Sequence, residues 1–399
     1  MKLKVFLNSY GIRREVGMLF EEDHRIFFEY APEFLASGIE ISPFKLPLKS
    51  GIFEDEKRTF DGLFGVFNDS LPDGWGCLLL DRKLRKRGLS FQEISPLHRL
   101  SMIGRDPMGA LEYEPADEAA DEFGEVELDS LSGEVDKIVR GDDSDVLDEL
   151  LRMNGSSGGA RPKIVAWVSD DRKTIVHGGK VPPAGFSPWI IKFAEKSDPQ
   201  TAGELEYRYS LAAKAAGIDM PETHLFPLKN GGGCFGVRRF DRTPQGKVHV
   251  HTACGLVHAS HRYPTLDYEN LLKLTLALTR NHADVEEMVR RMIFNVKSGN
   301  RDDHSKNFAF LLTPKNEWHL APAYDLTPCA GLNGEHTAMV NGKGRGITDA
   351  DLIATAATCG VPESKVRAMI AEVEEGLQEF FENRKKVLVI PCRKDMLGS

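Results

Sequence analysis

The stretch from Asn300 to Thr327, NRDDHSKNFAFLLTPKNEWHLAPAYDLT, constrains this chain more than any other. It crowds acidic and amide side chains around two short apolar runs, Phe308 to Leu312 and the run that follows a turn at Thr313 to Asn316. Charged groups enter a protein interior only with partners. Such a segment is therefore either a surface loop rich in turn formers and caps or a site at which the charges meet a ligand. Asp302, Asn307 and Asp325 are the residues to explain: an Asp, an Asn five positions later, a hairpin-like pair of runs, and a second Asp in YDLT. On spacing alone both readings stay open.

The order Asp, Asn, hairpin, Asp is that of protein kinases, in which a catalytic-loop Asp precedes a metal-holding Asn and a further metal-binding Asp follows. A chain of 399 residues has room for two or three domains of ordinary size. Its 51 basic and 60 acidic residues leave a formal charge of −9, which offers nucleic acid no general electrostatic attraction, so any basic patch must be local. Six cysteines, Cys77, Cys234, Cys254, Cys329, Cys359 and Cys392, stand singly without a CxxC pair; this argues against a zinc site or a disulfide framework and fits a reducing compartment. No apolar run approaches the roughly 20 residues of a membrane span, and the N-terminus lacks the pattern of a signal peptide. The expectation is a cytoplasmic protein without a membrane partner.

Residues 1 to about 50 alternate apolar runs with turns, LKVFLNS, GMLFEEDHRIFFEY and IEISPFKLPL, and predict a small β subdomain with a hairpin turning at Glu21 to Asp23. Asp73 is placed to cap a helix, WGCLLLDRKLRKRG, that stops on Gly88. Arg82, Lys83, Arg85, Lys86 and Arg87 in its last turns suit the helix dipole, with a contact to DNA or a partner protein as the sharper reading. Another helix is expected over Ser95 to Arg105. Between Glu114 and Glu149 acidic residues cluster and aromatics thin out, as a linker would require. Then comes MNGSSGGARPKIVAWV, in which small residues from Gly155 to Ala160 would let backbone N–H groups approach phosphate oxygens. Lys192 lies in the apolar strand WIIKF, where a lysine on the inner face needs an anionic partner. The helix of AGELEYRYSLAAKAAG carries Glu204 and Glu206 in its first turns, either of which could pair with Lys192. CFGVRRFDR reads as a strand leading to a hinge, and helices follow over Tyr268 to Phe294, Asp349 to Ala357 and Glu363 to Val389. A β-rich half before an α-rich half predicts an α+β, two-lobe protein-kinase-like fold with a small β-rich N-terminal subdomain and a mostly α-helical C-terminal lobe. The expected boundaries are 1–115 for the subdomain, 116–148 for the acidic linker, 149–245 for the kinase-like N-lobe and 246–399 for the C-lobe.

Seven blocks in order, LPDGWG with IGRDPMGAL, SSGGARPK, WIIKF, LEYRYSLAAKAAGI, VRRFDR, NRDDHSKNFAFLL and LAPAYDLTP, resemble the HipA family of bacterial serine/threonine kinases, the toxins of HipBA-type toxin-antitoxin systems. The match runs from about Gly17 to about Leu377. It implies a kinase dependent on ATP and Mg²⁺, whose relatives phosphorylate an aminoacyl-tRNA synthetase and are held by a HipB-like helix-turn-helix antitoxin, with DNA reached through the antitoxin. By the resemblance Asp302 takes the catalytic position of DDHSKN, Asn307 and Asp325 the metal positions, and Lys192 the phosphate-binding lysine. Ser156, Ser157, Gly158 and Gly159 fall on the phosphate loop. Ser156 takes the family's autophosphorylated position, with Ser157 as the alternative. GARPK stands where the family has GxQxK, which leaves the modified serine open. Arg239 and Phe240 fall where the family's hinge meets adenine; Arg238, where some relatives carry Glu, points to backbone contacts there. Lys306 and Arg301 flank the loop, His304 is read as a structural prop, and Asp303 is assigned to neither the nucleophile nor the metal. Two other readings are a small-molecule kinase of the aminoglycoside-phosphotransferase type, which would lack the N-terminal subdomain, and a catalytically silent subunit of a repressor complex.

Overall fold

The computed structural model describes residues 1–116, 123–140, 150, 153, 159, 161–179, 182–194, 198–199, 201–229, 231–261 and 263–381. The chain divides into two compact units, 1–203 with 224–251, and 204–223 with 252 onward. The β-rich N-terminal stretch and the strands between 163 and 238 thus belong to the first.

The first unit begins with strands β1 (Lys2–Ser9), β2 (Ile12–Glu22), β3 (Arg25–Tyr30), β4 (Ile52–Glu54) and β5 (Leu111–Glu114), which form an antiparallel sheet in the order β4-β3-β2-β1-β5. The expected hairpin is present: Glu22 pairs with Arg25, and Asp23 and His24 take φ of 49° and 59°, the paired left-handed conformation of a tight hairpin turn. Gly17 in β2 lies so close to β3 that a Cβ would come 2.1 Å from the carbonyl oxygen of Glu29, which excludes every other residue. The run IEISPFKLPL forms no strand, contrary to its apolar alternation. Pro43 and Pro47 withdraw two ladder donors, and Ile41 is buried in an irregular segment instead.

The second sheet uses β6 (Gly124–Glu125), β7 (Lys163–Ser169), β8 (Ile175–His177), β9 (Phe186–Lys192), β10 (Thr223–Pro227) and β11 (Gly233–Arg238), in the order β10-β11-β9-β7-β8-β6. Alternation along β7 and β9 sends Ile164, Ala166, Val168, Trp189 and Ile191 into one core with Trp75 and Leu79 of the helix Gly74–Lys86. The opposite face carries Lys163, Val165 and Trp167 across from Lys192, Ile190 and Pro188. Lys192 therefore points away from this core, because the period-2 pleat puts it out of phase with Trp189 and Ile191.

The helix Gly74–Lys86 ends as expected, with Gly88 at φ 92°, and Arg85, Lys86 and Arg87 stay exposed, while Arg82 donates to the Ile138 carbonyl. In the following helix, Pro96–Ile103, Ser95 and His98 form a capping box. Deeper in this unit, Ser42 Oγ meets His251 Nε2 at 2.9 Å and His251 Nδ1 meets Asp69 Oδ2 at 2.6 Å. The connectivity is that of a hydrolase triad, but Ser42 is 1% exposed and cannot meet a substrate. The chain instead fastens the irregular segment at Ile41 to the sheet, helped by His249 Nε2 donating to the Ile41 carbonyl at 2.9 Å.

The second unit holds helices Ala253–Val257, Tyr268–Thr279, His282–Ser298, Asp349–Ala357 and Glu363–Phe380, and a hairpin of Ala309–Leu312 with Trp318–Leu320. The helix Ala202–Ala215 lies largely within it. Asp267 and Asn281 accept helix N-terminal amides from Asn270 and Ala283, which is why the second long helix can begin so soon after the first. A Cβ on Gly376 would stand 2.7 Å from the Ala216 nitrogen, so glycine permits the last helix to lie against the end of Ala202–Ala215.

Burial pushes the His249 imidazole down to about 4 from an ordinary 6.5. The unfolded chain therefore takes up a proton that the folded chain refuses. Stability should fall as pH drops from about 6.5 toward 4, by about 3 kcal/mol for this group at the bottom of the window. Urea midpoints measured between pH 7 and pH 4.5 should show this slope, and His249→Gln should flatten it.

Candidate active site

In the second unit the loop begins where Gly299, at φ 77°, ends the helix His282–Ser298. The next residue ties the site together. Asn300 Nδ2 donates to Asn295 Oδ1 at 3.0 Å and to the Asp325 carbonyl at 3.2 Å, while its Oδ1 accepts the Asp302 N–H at 3.3 Å. The two acidic positions, far apart in sequence, are thus fixed to one side-chain amide. Asn307 Nδ2 donates to the Asp302 carbonyl at 2.7 Å and closes the turn, which leaves Oδ1 as the oxygen suited to a cation. Asp325 takes φ 53°, a left-handed conformation uncommon for a side-chain-bearing residue and typical of sites whose surroundings over-determine the backbone. Tyr324 OH, beside it, donates to the Lys306 carbonyl at 2.6 Å.

The acids divide by environment. The Asp302 side chain is 46% exposed, with His304 Nε2 at 3.9 Å from Oδ1, so its carboxylate stands open to an incoming group. Asp303 is 0% exposed and takes four donors, Tyr268 OH, His336 Nδ1 and the N–H groups of Thr337 and Ala338. Neither Asn300 nor Asp303 was given a role from sequence, since the partners that define both lie up to 35 residues away.

In the first unit, Lys163 and Lys192 are direct cross-strand partners on the face of the sheet away from the core. Two ammonium groups so placed repel unless anionic charge lies between or near them. That pair, next to a glycine loop, has the chemistry of a phosphate seat. Gly159, the one described residue of the predicted loop core, has φ 93°, and a Cβ there would stand 2.4 Å from Lys163 Nζ. Glycine suits the left-handed backbone here, and a side chain would displace the tip of Lys163. Ser156, Ser157 and Gly158 lie outside the described residues.

Asp73 does not cap its helix through its side chain. Its Oδ2 accepts the Gly159 N–H at 3.0 Å and pins the loop from the N-terminal part of the unit. Arg161 pairs with both oxygens of Asp198 at 2.9 and 3.1 Å, securing the loop on its other side.

In the stretch VRRFDR, Arg239 is held by groups within the protein. The Arg239 N–H, available to a base if the hinge reading held, donates to the Pro188 carbonyl at 2.9 Å. The buried Arg239 guanidinium is committed to Asp241 at 2.9 and 2.7 Å. Asp241 also accepts from Arg242 and from the Gly109 N–H, both at 2.8 Å. Burial raises its pKa, but Arg239 and Arg242 outweigh that and hold the carboxyl far below the usual range. The Arg239 amide and two of its guanidinium nitrogens are thus engaged within the protein.

Among the described residues no three His, Cys, Asp or Glu side chains converge on a metal position. Two oxygen ligands, from Asn307 and Asp325, fit Mg²⁺, which keeps waters and takes further oxygens from phosphates.

Comparison with known proteins bears on both units. Residues 155–380 match the family model of the HipA-like C-terminal domain, and residues 3–114 match that of the HipA N-terminal domain. The chain belongs to the HipA family. A putative kinase, Y4dM, of Sinorhizobium fredii is 28% identical over 384 residues, covering 85% of this chain and 86% of that protein. A putative kinase of Haemophilus influenzae is 29% identical over 184 residues, covering 43% of this chain and 51% of that one. The structure is similar to HipA in the Shewanella oneidensis MR-1 complex of HipA, HipB and operator DNA, with a TM-score of 0.71 and 19% identity over 95% of this chain and 89% of that one. The HipA fold, α+β and kinase-like, is thus shared at low sequence identity.

Replacing Lys192 by Met should weaken ATP binding by about 10- to 100-fold, the loss of one charge-assisted phosphate contact. Asp73→Ala, which frees the Gly159 amide without touching either lysine, should weaken it by about 5- to 10-fold. Titration with a fluorescent ATP analogue measures both.

Proposed function

We propose that this HipA protein is an ATP- and Mg²⁺-dependent serine/threonine protein kinase. The observation that carries the reading is the tie through Asn300, which fixes Asp302 and Asp325 to one another with Asn307 closing the turn, and leaves the Asp302 carboxylate open.

The bound Mg²⁺–ATP would supply the phosphoryl group and neutralise charge developing on its oxygens. The residues of the chain do the rest by alignment and electrostatics, the main needs of phosphoryl transfer. Asn307 Oδ1 and the Asp325 carboxylate are the oxygen ligands for the ion. Lys163 and Lys192, with the amides of the 155–160 loop, hold phosphates. Asp302 accepts a hydrogen bond from the substrate hydroxyl and takes its proton, a role that needs position more than a raised pKa.

The acceptor in this proposal is a protein serine, either in a second protein, for which the family resemblance suggests an aminoacyl-tRNA synthetase, or in the chain's own loop at Ser156, with Ser157 adjacent. The partner in this reading is a HipB-like helix-turn-helix antitoxin with DNA met through it; the similar HipA of Shewanella oneidensis is in a complex with HipB and operator DNA. Among the described residues no helix is long and apolar enough to cross a membrane, and we place the protein in the cytoplasm.

Incubated with labelled ATP and Mg²⁺ alone, the wild-type protein should label itself, and peptide mass spectrometry should find the phosphate on Ser156 or Ser157. Asp302→Gln should reduce labelling by at least about 1,000-fold and still bind ATP. A fully active Asp302→Gln protein would overturn the assignment.

A further inference from the structure

The segment that follows YDLT, residues 331–346, contains little regular structure, only two isolated bridges, Leu332 with Glu335 and Val340 with Lys343. It exposes large apolar side chains, Leu332 at 63% and Met339 at 39%, among the charges of Glu335 and Arg345. Segments in this position in kinases commonly depend on an added phosphate and an arginine to become ordered. Here the attachment is built from unmodified residues, and its centre is the acid left without a role by the sequence.

Asp303 Oδ1 accepts the N–H groups of Thr337 and Ala338 at 2.8 and 3.2 Å. Oδ2 meets His336 Nδ1 at 2.8 Å and Tyr268 OH at 3.0 Å. The preceding loop residue adds to the hold, since the Arg301 carbonyl accepts both the N–H and the hydroxyl of Thr337 at 3.2 and 3.1 Å. The network then runs inward. Asn295 Nδ2 donates to Tyr268 OH at 2.8 Å, and Asn295 Oδ1 accepts from Asn300, the residue that fixes Asp302 and Asp325. One continuous set of hydrogen bonds therefore joins residues 336–338 to the backbone of both acidic positions.

We infer that Asp303 is a positioning residue: it clamps segment 331–346 onto the catalytic loop, so that this segment presents a protein substrate to Asp302 without itself needing modification. The functional half of this inference rests on the kinase reading. The clamp itself rests on the geometry alone. A fully buried carboxylate with four donors holds its partners in one arrangement, because losing it strands donors that water cannot reach.

The experiment compares wild type, Asp303→Asn and His336→Leu by hydrogen exchange, ATP affinity and self-labelling with labelled ATP. In Asp303→Asn the peptide spanning Thr337 and Ala338 should exchange about 100-fold faster while amides of helices Tyr268–Thr279 and His282–Ser298 stay protected. Self-labelling should slow by about 10-fold or more with the ATP dissociation constant within about twofold of wild type, since neither lysine nor metal ligand is altered. His336→Leu removes one donor and leaves no new buried polar group; it should show smaller shifts in the same direction, and it carries the test if Asp303→Asn does not fold. Unchanged exchange at Thr337 and Ala338 overturns the clamp. Loss of ATP affinity in step with labelling overturns the positioning role. If wild type transfers no phosphate and matches Asp302→Gln, the kinase reading and the positioning role fail together, while faster exchange in the variants still establishes the clamp.

Discussion

The whole catalytic half of this protein depends on the side-chain amide of Asn300. It spans 25 residues of sequence to the carbonyl of Asp325 and two residues to the amide of Asp302, and it is itself held by Asn295 from the preceding helix. An amide can do this because it donates and accepts at once. Neither a carboxylate nor a lysine could satisfy a carbonyl on one side and an N–H on the other. That amide meets the carbonyl of Asp325, which takes the left-handed turn, and the N–H of Asp302, whose carboxylate stands open.

Much of this was legible in the residues. The spacing of Asp302, Asn307 and Asp325 singled them out, and one side-chain amide joins Asp302 and Asp325 while Asn307 closes the turn. Strand and helix positions follow from pleat and helical periods, which are local. What was not legible is long-range. Asp73 looks like a helix cap because its sequence neighbours are those of a cap, yet its acceptor oxygen serves Gly159, 86 residues on. Asp303 looks redundant beside Asp302 until His336, Thr337 and Ala338 are brought to it. The ion cluster of Arg239 does not show in its neighbours because Gly109 and Pro107, which complete it, are remote in sequence.

The two lysines illustrate the same limit from another side. Lys192 was recognisable as an anomaly in an apolar strand, but its face was not, since an apolar run gives no phase. Only the register with β7 shows that Lys163 lies opposite it and that both turn away from the core.

The Asp241 cluster also bears on what can be removed from this protein. Gly109 supplies an amide to Asp241, and Pro107 a carbonyl to both Arg239 and Arg242; Glu112 on β5 accepts from Lys247. A chain cut after residue 115 would keep Arg239, Asp241 and Arg242 but lose the neutral groups that complete their solvation. Each buried donor or acceptor left unpaired in this way costs about 1 to 3 kcal/mol, a large part of what holds most domains folded. The N-terminal sheet is thus a wall of the unit that carries Lys163 and Lys192, and a fragment without it should be sought only with that wall replaced.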